Sequence, residues 1–221
     1  MKADELAKKY DIDLKQLEKE QEKLAEQINI KDKIDFSVID RIAAIDNSFF
    51  QNKIISACIL VNTDMEILEQ EYFSDKLKFP YIPEFRAYRE LPAMVEAFNK
   101  LSEKPDVVFI KGHGIAHQRL GLASHFSLSV GVPSIGVANS LLIGEIKGED
   151  VFLKRKKVGK ILFSKPGSKP MYVSPGNLIS VETAHKLSEK YINLPHKLPE
   201  PLHLAHKYSK EIRLELFGEN V

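Results

Sequence analysis

Two acidic residues stand where an α/β protein can bring groups together for metal-assisted chemistry. Asp46 follows the apolar run "RIAAI" (41–45), and Glu90 precedes Leu91-Pro92 near the beginning of a predicted helix. Carboxylates from a central strand and a neighbouring helix can hold a hydrated Mg²⁺ ion, which takes only one or two protein carboxylates. Such an ion activates water and neutralises charge on a phosphate. The alternative is that Asp46 begins a turn and that Glu90 is a solvated helix residue.

A lysine follows the apolar run in "DVVFIKGHGIAH" (106–117). Residues 107–110 have the composition of a buried strand, and the chain breaks at Gly112-His113-Gly114. Strand ends of this kind carry the sites of open α/β sheets. Lys111 lies at the junction, where a metal site would need a carboxylate, and an ammonium group there would repel the ion.

The elements that must position these residues begin with three strand-like segments joined by short polar connectors. They cover residues 40–50, 53–62 and 66–75 and predict an antiparallel meander. A helix after Pro92, a central strand at 106–110, a helix at 119–131 and a strand at 132–138 predict parallel pairing with a right-handed crossover. The predicted fold class is α/β, with a mixed β-sheet flanked by helices. This order matches the ribonuclease H-like architecture.

Further helices are predicted towards both ends of the chain. Residues 13–30 predict an amphipathic helix packed on the domain, and a short coiled coil, interrupted by Gln21, is the alternative. Later patterns predict a hairpin at 150–163, a strand and turn at 171–177, and helices at 180–191 and 203–217, the last two joined by an extended link at 193–201. We expect one domain over residues 1–221, with residues 1–37 as an N-terminal helical extension.

The composition is that of a soluble globular protein. Hydrophobic residues make up 43% and charged residues 29% of the 221 residues, which excludes disordered and fibrous classes. The single cysteine, Cys58, lies in an apolar run and predicts a buried, inert thiol. Without a second cysteine, an internal disulfide is excluded, as suits a reducing cytosol. The first residues lack the apolar core of a secretory signal, so we expect a cytoplasmic protein.

The overall charge does not indicate nucleic-acid binding, but one local stretch does. The chain has 32 basic and 31 acidic side chains, a net charge of +1. The stretch "KRKKVGKILFSKPGSK" (154–169) contains seven basic residues and no acidic one. It predicts either contacts with a phosphate backbone, which weaken with salt, or a solvated hairpin face.

Four blocks of the sequence, in order between residues 42 and 206, resemble the endonuclease V family. They are "FPYIPEFRAYRELP" (79–92), "KPDVVFIKGHGIAHQRLGLASHFSLSVGVPSIGVA" (104–138), "YVSPGNLISVETA" (172–184) and "KLPEPLHLAH" (197–206). The resemblance implies a ribonuclease H-like fold and an endonuclease that depends on Mg²⁺ or Mn²⁺. It also implies recognition of inosine or deoxyinosine in DNA or RNA, with cleavage of a nearby phosphodiester on the 3′ side, as in DNA repair. We expect a monomer.

The resemblance assigns roles by position. Asp46 and Glu90 match two metal carboxylates of the family. His117 matches a histidine near the substrate, and His206 a histidine that assists catalysis in some members; a structural role is the alternative for His206. Gly112, His113 and Gly114 resemble a loop of the family whose backbone lets the flipped base approach closely.

A wedge that pushes into the duplex matches Pro80, Tyr81, Ile82 and Pro83. A rigid apolar and aromatic tip can fill the gap left by an extruded base and offset part of its unstacking cost. The alternative is a loop whose tyrosine packs on its own domain.

Three positions depart from the family pattern. Lys111 replaces the aspartate before Gly-His-Gly, Asn139 replaces the lysine of "Gly-Val-Ala-Lys" near the reacting phosphate, and Glu84-Phe85-Arg86 replaces Gly-Phe-Leu after the wedge. In one interpretation Lys111 is a catalytic residue that grips the phosphate in place of part of the metal's charge. In another, the protein is a catalytically impaired relative that binds inosine-containing or structured nucleic acid without cutting it. An engineered substitution at Lys111 is a third.

Overall fold

The computed structural model describes residues 3–218 and joins nine strands in one mixed sheet. The strands are β1 (Ile42–Phe50), β2 (Lys53–Val61), β3 (Ile67–Lys76), β4 (Val107–Lys111), β5 (Ser134–Ala138), β6 (Glu145–Lys147), β7 (Asp150–Leu153), β8 (Lys156–Leu162) and β9 (Met171–Asn177). Their order across the sheet is β3-β2-β1-β4-β5-β9-β8-β7-β6. β1 to β3 pair antiparallel, whereas β1, β4 and β5 pair in parallel. The predicted meander, parallel strands and fold class are confirmed.

Helices cover both faces of the sheet. They are α1 (Ala3–Lys9), α2 (Leu14–Ala25), α3 (Arg86–Asn99), α4 (Leu122–Val130), α5 (Val181–Lys190) and α6 (Glu200–Phe217), and a 3₁₀ turn (Pro83–Phe85) precedes α3. Apolar residues of α5 and α6 form one core with one face of the sheet. Those of α3 and α4 form a second core with the other face.

The alternation of side chains along β1 decides which helix each polar residue meets. Ile42 and Ala44 belong to the core beneath α5 and α6, whereas Ala43 belongs to the core beneath α3 and α4. Successive side chains of a strand point to opposite faces. Asp46 therefore continues the series that faces α6, and Asn47 the series that faces α3.

Two helices begin earlier than the sequence predicts. α3 starts at Arg86 and contains Pro92, although proline lacks a backbone N–H and disfavours a helix interior. The buried face of α3, which includes Met94, offsets that cost by packing on the sheet. α6 starts at Glu200, inside the predicted link, with Pro201 in the first turn, where a missing N–H is tolerated. α1 and β6 have no counterpart among the predicted elements.

Helix α2 contacts the body of the protein through polar side chains. Gln21 is fully buried, donates through Nε2 to the carbonyl of Glu84 at 3.0 Å, and accepts at Oε1 from Nε of Arg119 at 2.8 Å. Tyr88 donates its hydroxyl hydrogen to the carbonyl of Leu17 at 3.2 Å. The glutamine that would interrupt a coiled-coil seam is thus the polar centre of this contact.

Cys58 is buried in β2 as a free thiol, as predicted. Burial, together with the nearby charges of Glu71 and Glu69, raises the pKa of this thiol, so it stays protonated and inert. Among residues 3–218, none of the helices is long and apolar enough to cross a membrane.

Candidate active site

Asp46, Lys111 and His206 meet at the edge of the sheet where β4 and β5 end. Asp46 is 4% exposed, and its Oδ2 lies 2.6 Å from Nδ1 of His206 and 3.4 Å from Nζ of Lys111. A carboxylate oxygen accepts hydrogen bonds, so the short contact places the ring hydrogen on Nδ1 and leaves Nε2 of a neutral His206 as an acceptor. Lys111 Nζ and His206 Nδ1, 3.4 Å apart, are then two donors to one carboxylate.

Glu90 lies in the same region and is held by an arginine of its own helix. Its carboxylate, 1% exposed, accepts from Arg86 through Nε at 2.8 Å and Nη2 at 2.9 Å, and from Nδ2 of Asn47 at 2.9 Å. Burial lowers the pKa of the Arg86 guanidinium, but the hydrogen bonds and charge of Glu90 outweigh burial and raise it. The two-point contact is the geometry in which arginine binds carboxylates most strongly.

Asp46 and Lys111 line one cavity of about 240 Å³ together with Arg86, Glu90 and Asn47. Two carboxylates and two cations therefore share its wall. The wall also contains residues that follow strands β4 and β5, among them Gly112, His113, Asn139 and Ser140. Asn139 is exposed.

The loop after β4 packs closely against β9. A Cβ atom on Gly114 would lie 2.0 Å from the carbonyl oxygen of Pro175, and one on Gly121 would lie 2.1 Å from that of Gly114. The amide of Gly114 donates to Oγ of Ser174 at 2.8 Å. Gly114 is therefore required for packing, whereas Gly112 lines the cavity, and a Cβ atom there would lie 3.3 Å from the side chain of Leu122.

A second pocket, of about 120 Å³, shares lining residues with the first. The shared residues are Arg86, His113, Leu122 and Ser140. The second pocket is also lined by Tyr81 and His117. Nε2 of His113 lies 2.9 Å from the carbonyl of Ser140, and Nδ1 of His117 accepts from the amide of Arg119 at 3.2 Å.

Both histidines of this second pocket are uncharged at neutral pH. Burial lowers the pKa of His117 to about 4, with smaller contributions from His113 and Arg119. Burial also lowers the pKa of His113, against the opposing hydrogen bond to Ser140. A neutral imidazole offers one donor and one acceptor, which suits contact with the polar edge of a base.

The predicted wedge presents only part of its surface. Tyr81 is 57% exposed and Pro83 is exposed, whereas Ile82 is 3% exposed and Pro80 is buried. The tyrosine side chain is therefore mostly open to solvent, and the two buried residues anchor the loop. Nη1 of Arg89 also holds the loop, donating to the carbonyl of Phe79 at 2.7 Å.

Comparison with known proteins places this arrangement in a family. The family model "Endonuclease V" matches residues 22–207, which cover most of the chain and include every residue that lines the two pockets. The chain belongs to the endonuclease V family. Endonuclease V of Dictyoglomus turgidum is 38% identical over 214 residues, covering 90% of this chain and 91% of the relative.

Solved endonuclease V structures share the fold. The enzyme from Bacillus subtilis superposes with a TM-score of 0.86 at 26% identity and covers 96% of this chain and 97% of its own. The Ciona intestinalis enzyme, in complex with a 24mer DNA containing an inosine followed by a ribo-adenosine, superposes with a TM-score of 0.83 at 24% identity, covering 92% and 98% of the two chains. The mixed sheet is thus the ribonuclease H-like sheet of this family.

A Mg²⁺ ion does not fit the Asp46–Glu90 pair of this endonuclease V chain. Oxygen ligands are present, but Glu90 already accepts both contacts from Arg86, and Asp46 accepts from His206 and faces Lys111. Two fixed cations balance two carboxylates, so little net negative charge remains to attract a divalent ion. The metal-ligand role of both acids stays a prediction from the resemblance.

Sequence reasoning brought together the residues of the centre but missed their partners. The sequence predicts Asp46, Glu90, Lys111 and His206 as site residues. It presents Arg86 only as part of a departure from the family pattern after the wedge. Its spacing from Glu90, four positions along a helix, is the signal for such a pair. Asn47 gave no signal beyond its position next to Asp46.

Arg119 is a supporting residue that the sequence did not reveal. Its guanidinium contacts Glu18 of α2 and Glu84 of the 3₁₀ turn, each at 3.2 Å, besides Gln21. It thereby ties α2 to the chain segment that carries the wedge. Glu84, which begins the departure from the family pattern after the wedge, thus has Arg119 as its structural partner.

The basic stretch 154–169 is divided by β8 and does not form one strip. Lys160 of β8 pairs with Val173 of β9, which in turn pairs with Val137 of β5. Both pairings are antiparallel, so β8 runs in the same direction as β5, towards the edge of the sheet that carries the active site. The turn of Lys154 and Arg155 therefore lies at the opposite edge, and residues 163–169 at the active-site edge. Lys157 and Lys160 form ion pairs with acidic neighbours.

Proposed function

We propose that this protein is an endonuclease that recognises inosine in nucleic acid and hydrolyses a nearby phosphodiester bond on the 3′ side. Family membership supports the reaction class, and the inosine-containing DNA held by the Ciona intestinalis enzyme supports the base. The observation that carries the proposal is the junction of the two pockets at Arg86 and His113. One pocket offers neutral polar groups for a base, and the other offers charge for a phosphate.

The base occupies the smaller pocket in this proposal. Tyr81, exposed at its rim, fills the gap that the flipped nucleotide leaves, and the uncharged His117 contacts the polar edge of the base. Gly112, in the wall of the larger cavity, lets the backbone approach the nucleotide.

The scissile phosphate occupies the larger cavity, where it meets two cations. Lys111 is a point charge with three donors, and Arg86 keeps Nη1 free of its two contacts with Glu90. Both cations are partly exposed, so a phosphate can reach them. Donors placed where negative charge develops stabilise the pentacoordinate phosphate. Asn139 adds a polar group at the same wall.

Water activation falls to the Asp46–His206 pair. Nε2 of His206 takes a proton from the attacking water, and the Asp46 carboxylate stabilises the imidazolium that forms. As the water oxygen bonds to phosphorus, the ester P–O bond breaks, and the leaving oxygen takes a proton from solvent. Lys111 and Arg86 supply the positive charge at the phosphate. Within this proposal Glu90 acts by holding Arg86, and no divalent ion at the two carboxylates is required.

Cleavage of an end-labelled strand that carries a single inosine tests the proposal. The matched control strand carries adenosine at that position, and both are made as DNA and as RNA. We expect a cut on the 3′ side of inosine with the wild-type protein and none with Asp46→Ala or His206→Ala. A wild-type protein that binds the inosine strand without cutting it would overturn the proposal.

A second arm tests the role of Lys111. We expect similar wild-type cutting in Mg²⁺, in Mn²⁺ and in chelator, whereas Lys111→Asp should gain Mn²⁺ binding and cut only with metal. Lys154→Asp, the same charge change at an exposed position away from the active-site edge, is the control and should keep the wild-type behaviour. Saturable Mn²⁺ binding to the wild-type protein that is lost in Asp46→Ala would show that Lys111 does not replace the ion.

A further inference from the structure

Two histidines and a glutamate form a cluster at the start of α6, outside the active site. The ligand atoms of His196, Glu200 and His203 all lie within 4.8 Å of one another. Nδ1 of His196 lies 2.8 Å from Oε2 of Glu200. The His196 ring stacks on that of His203 with ring centroids 3.4 Å apart and planes inclined by 13°.

The backbone around the cluster is held in place before any ligand arrives. The amide of Glu200 donates to the carbonyl of Tyr191 at 2.7 Å, and an antiparallel bridge joins Ile192 to Pro199. The amide of His196 donates to the carbonyl of Asn193 at 2.9 Å. Residues 192–199 therefore form a closed loop that returns His196 to the first turn of α6.

We propose that His196, Glu200 and His203 form a binding site for a divalent transition ion of the zinc class. Two imidazoles and one carboxylate are a ligand set of Zn²⁺ sites that keep a fourth position for water. Ligand atoms at about 2.1 Å from one ion lie at most about 4.2 Å apart, so the cluster closes on an ion by small side-chain rotations that fan the rings apart.

The surroundings favour a soft or borderline cation over Mg²⁺. The carboxylate of Glu200 is 9% exposed and the side chain of His196 is 31% exposed, so an ion would be partly shielded and still reachable from solvent. Imidazole ligands suit zinc, copper, nickel and iron, whereas Mg²⁺ prefers an oxygen shell. Zn²⁺ is the ion we assign.

The site would fix the helix that carries the active-site histidine. His203 and His206 are three residues apart on α6, so they occupy neighbouring positions on the helix. An ion bound by His196 and His203 would clamp loop 192–199 to the first turn of α6. The cluster is therefore a positioning device for His206, and it takes no part in the reaction itself.

Zinc binding to the full chain, purified without a histidine tag, tests this assignment. Equilibrium dialysis followed by metal analysis should give one Zn²⁺ per chain in wild type, and the Co²⁺-loaded protein should show the visible absorption of a low-coordinate site. His203→Ala and Glu200→Gln should lose both signals. Glu200→Gln keeps an acceptor for His196, so it separates loss of the ligand charge from loss of the fold.

Two control variants locate the ion. His185→Ala removes a histidine of α5 that contacts the carbonyl of Ile161, and it should keep one Zn²⁺ per chain. His206→Ala should also keep one Zn²⁺ per chain, because His206 contacts Asp46 and does not belong to the cluster. Zn²⁺ that stays with His203→Ala, or leaves with His206→Ala alone, would overturn the assignment, as would a wild-type chain that binds none.

A thermal readout covers the case in which a variant is too unstable for dialysis. Since an ion that binds only the folded chain stabilises it, the Tm of wild type should rise with added Zn²⁺. His203→Gln should melt at the same temperature with and without Zn²⁺. These readouts do not depend on cleavage, so they stand or fall separately from the proposed function.

Discussion

Glu90 is almost fully buried and accepts three hydrogen bonds, two of them from Arg86 and one from Asn47. Three of the roughly four acceptor positions of this carboxylate are therefore occupied, and an ion that binds at any of these three displaces a hydrogen bond. Asp46 is similar, since His206 and Lys111 converge on its Oδ2 atom. In this centre the charge of each carboxylate is therefore balanced by a cation, Glu90 by Arg86 and Asp46 by Lys111.

This compensation predicts that Glu90 contributes to stability. Glu90→Ala leaves the guanidinium of Arg86 partly buried without its partner, which should lower the free energy of unfolding by about 3 kcal/mol. Glu90→Gln keeps one acceptor and should cost about 1 kcal/mol. Urea unfolding of the two variants beside wild type measures both values. Equal stability of Glu90→Ala and wild type would contradict the structural role.

Asp46 and Lys111 could be predicted from the sequence because each follows a strong local pattern. Both come directly after a run of apolar residues, and that position can be recognised without a structure. The contact between Asp46 and His206 joins residues 160 positions apart, and it depends on where α6 packs. Only the resemblance indicated His206, because a lone histidine on a terminal helix carries no such signal.

At the scale of elements, the two errors in helix starts share one cause. Local propensity places a helix start after a proline, whereas the buried face of α3 and the first turn of α6 tolerate one. The consequence for the site is direct. The earlier start of α3 puts Arg86 on the same helix as Glu90 and makes their contact possible within one turn.

In the loop of residues 80–83, we expect the exposed side chain to contribute to nucleic-acid binding and the buried side chains to contribute to stability. Tyr81→Ala should weaken binding of an inosine-containing duplex by about tenfold, since the ring offsets part of an unstacking cost of a few kcal/mol, and should leave stability unchanged. Ile82→Ala should instead lower the free energy of unfolding by about 3 kcal/mol. Fluorescence anisotropy and urea unfolding separate these effects. Unchanged affinity in Tyr81→Ala would remove the wedge role.

At the scale of the whole molecule, the direction of β8 decides which basic residues can meet nucleic acid at the active site. Lys165 and Lys169 follow β8 and are exposed at the active-site edge, and among residues 3–218 neither forms an ion pair. Lys154 and Lys156 are exposed at the opposite edge. The sequence could count these charges, but only the strand pairing separates them.

The separation predicts two different salt dependences from two matched double variants. Lys165→Ala with Lys169→Ala should lower the slope of log affinity against log salt by about 1.4 for single strands and about 1.8 for duplex, because two phosphate contacts release fewer counterions. Lys154→Ala with Lys156→Ala removes the same charge at the other edge and should leave the slope unchanged. Titrations of an inosine strand at several salt concentrations measure both slopes. If the two variants changed the slope equally, nucleic acid would extend over both edges of the sheet, and the path across the active-site edge alone would be wrong.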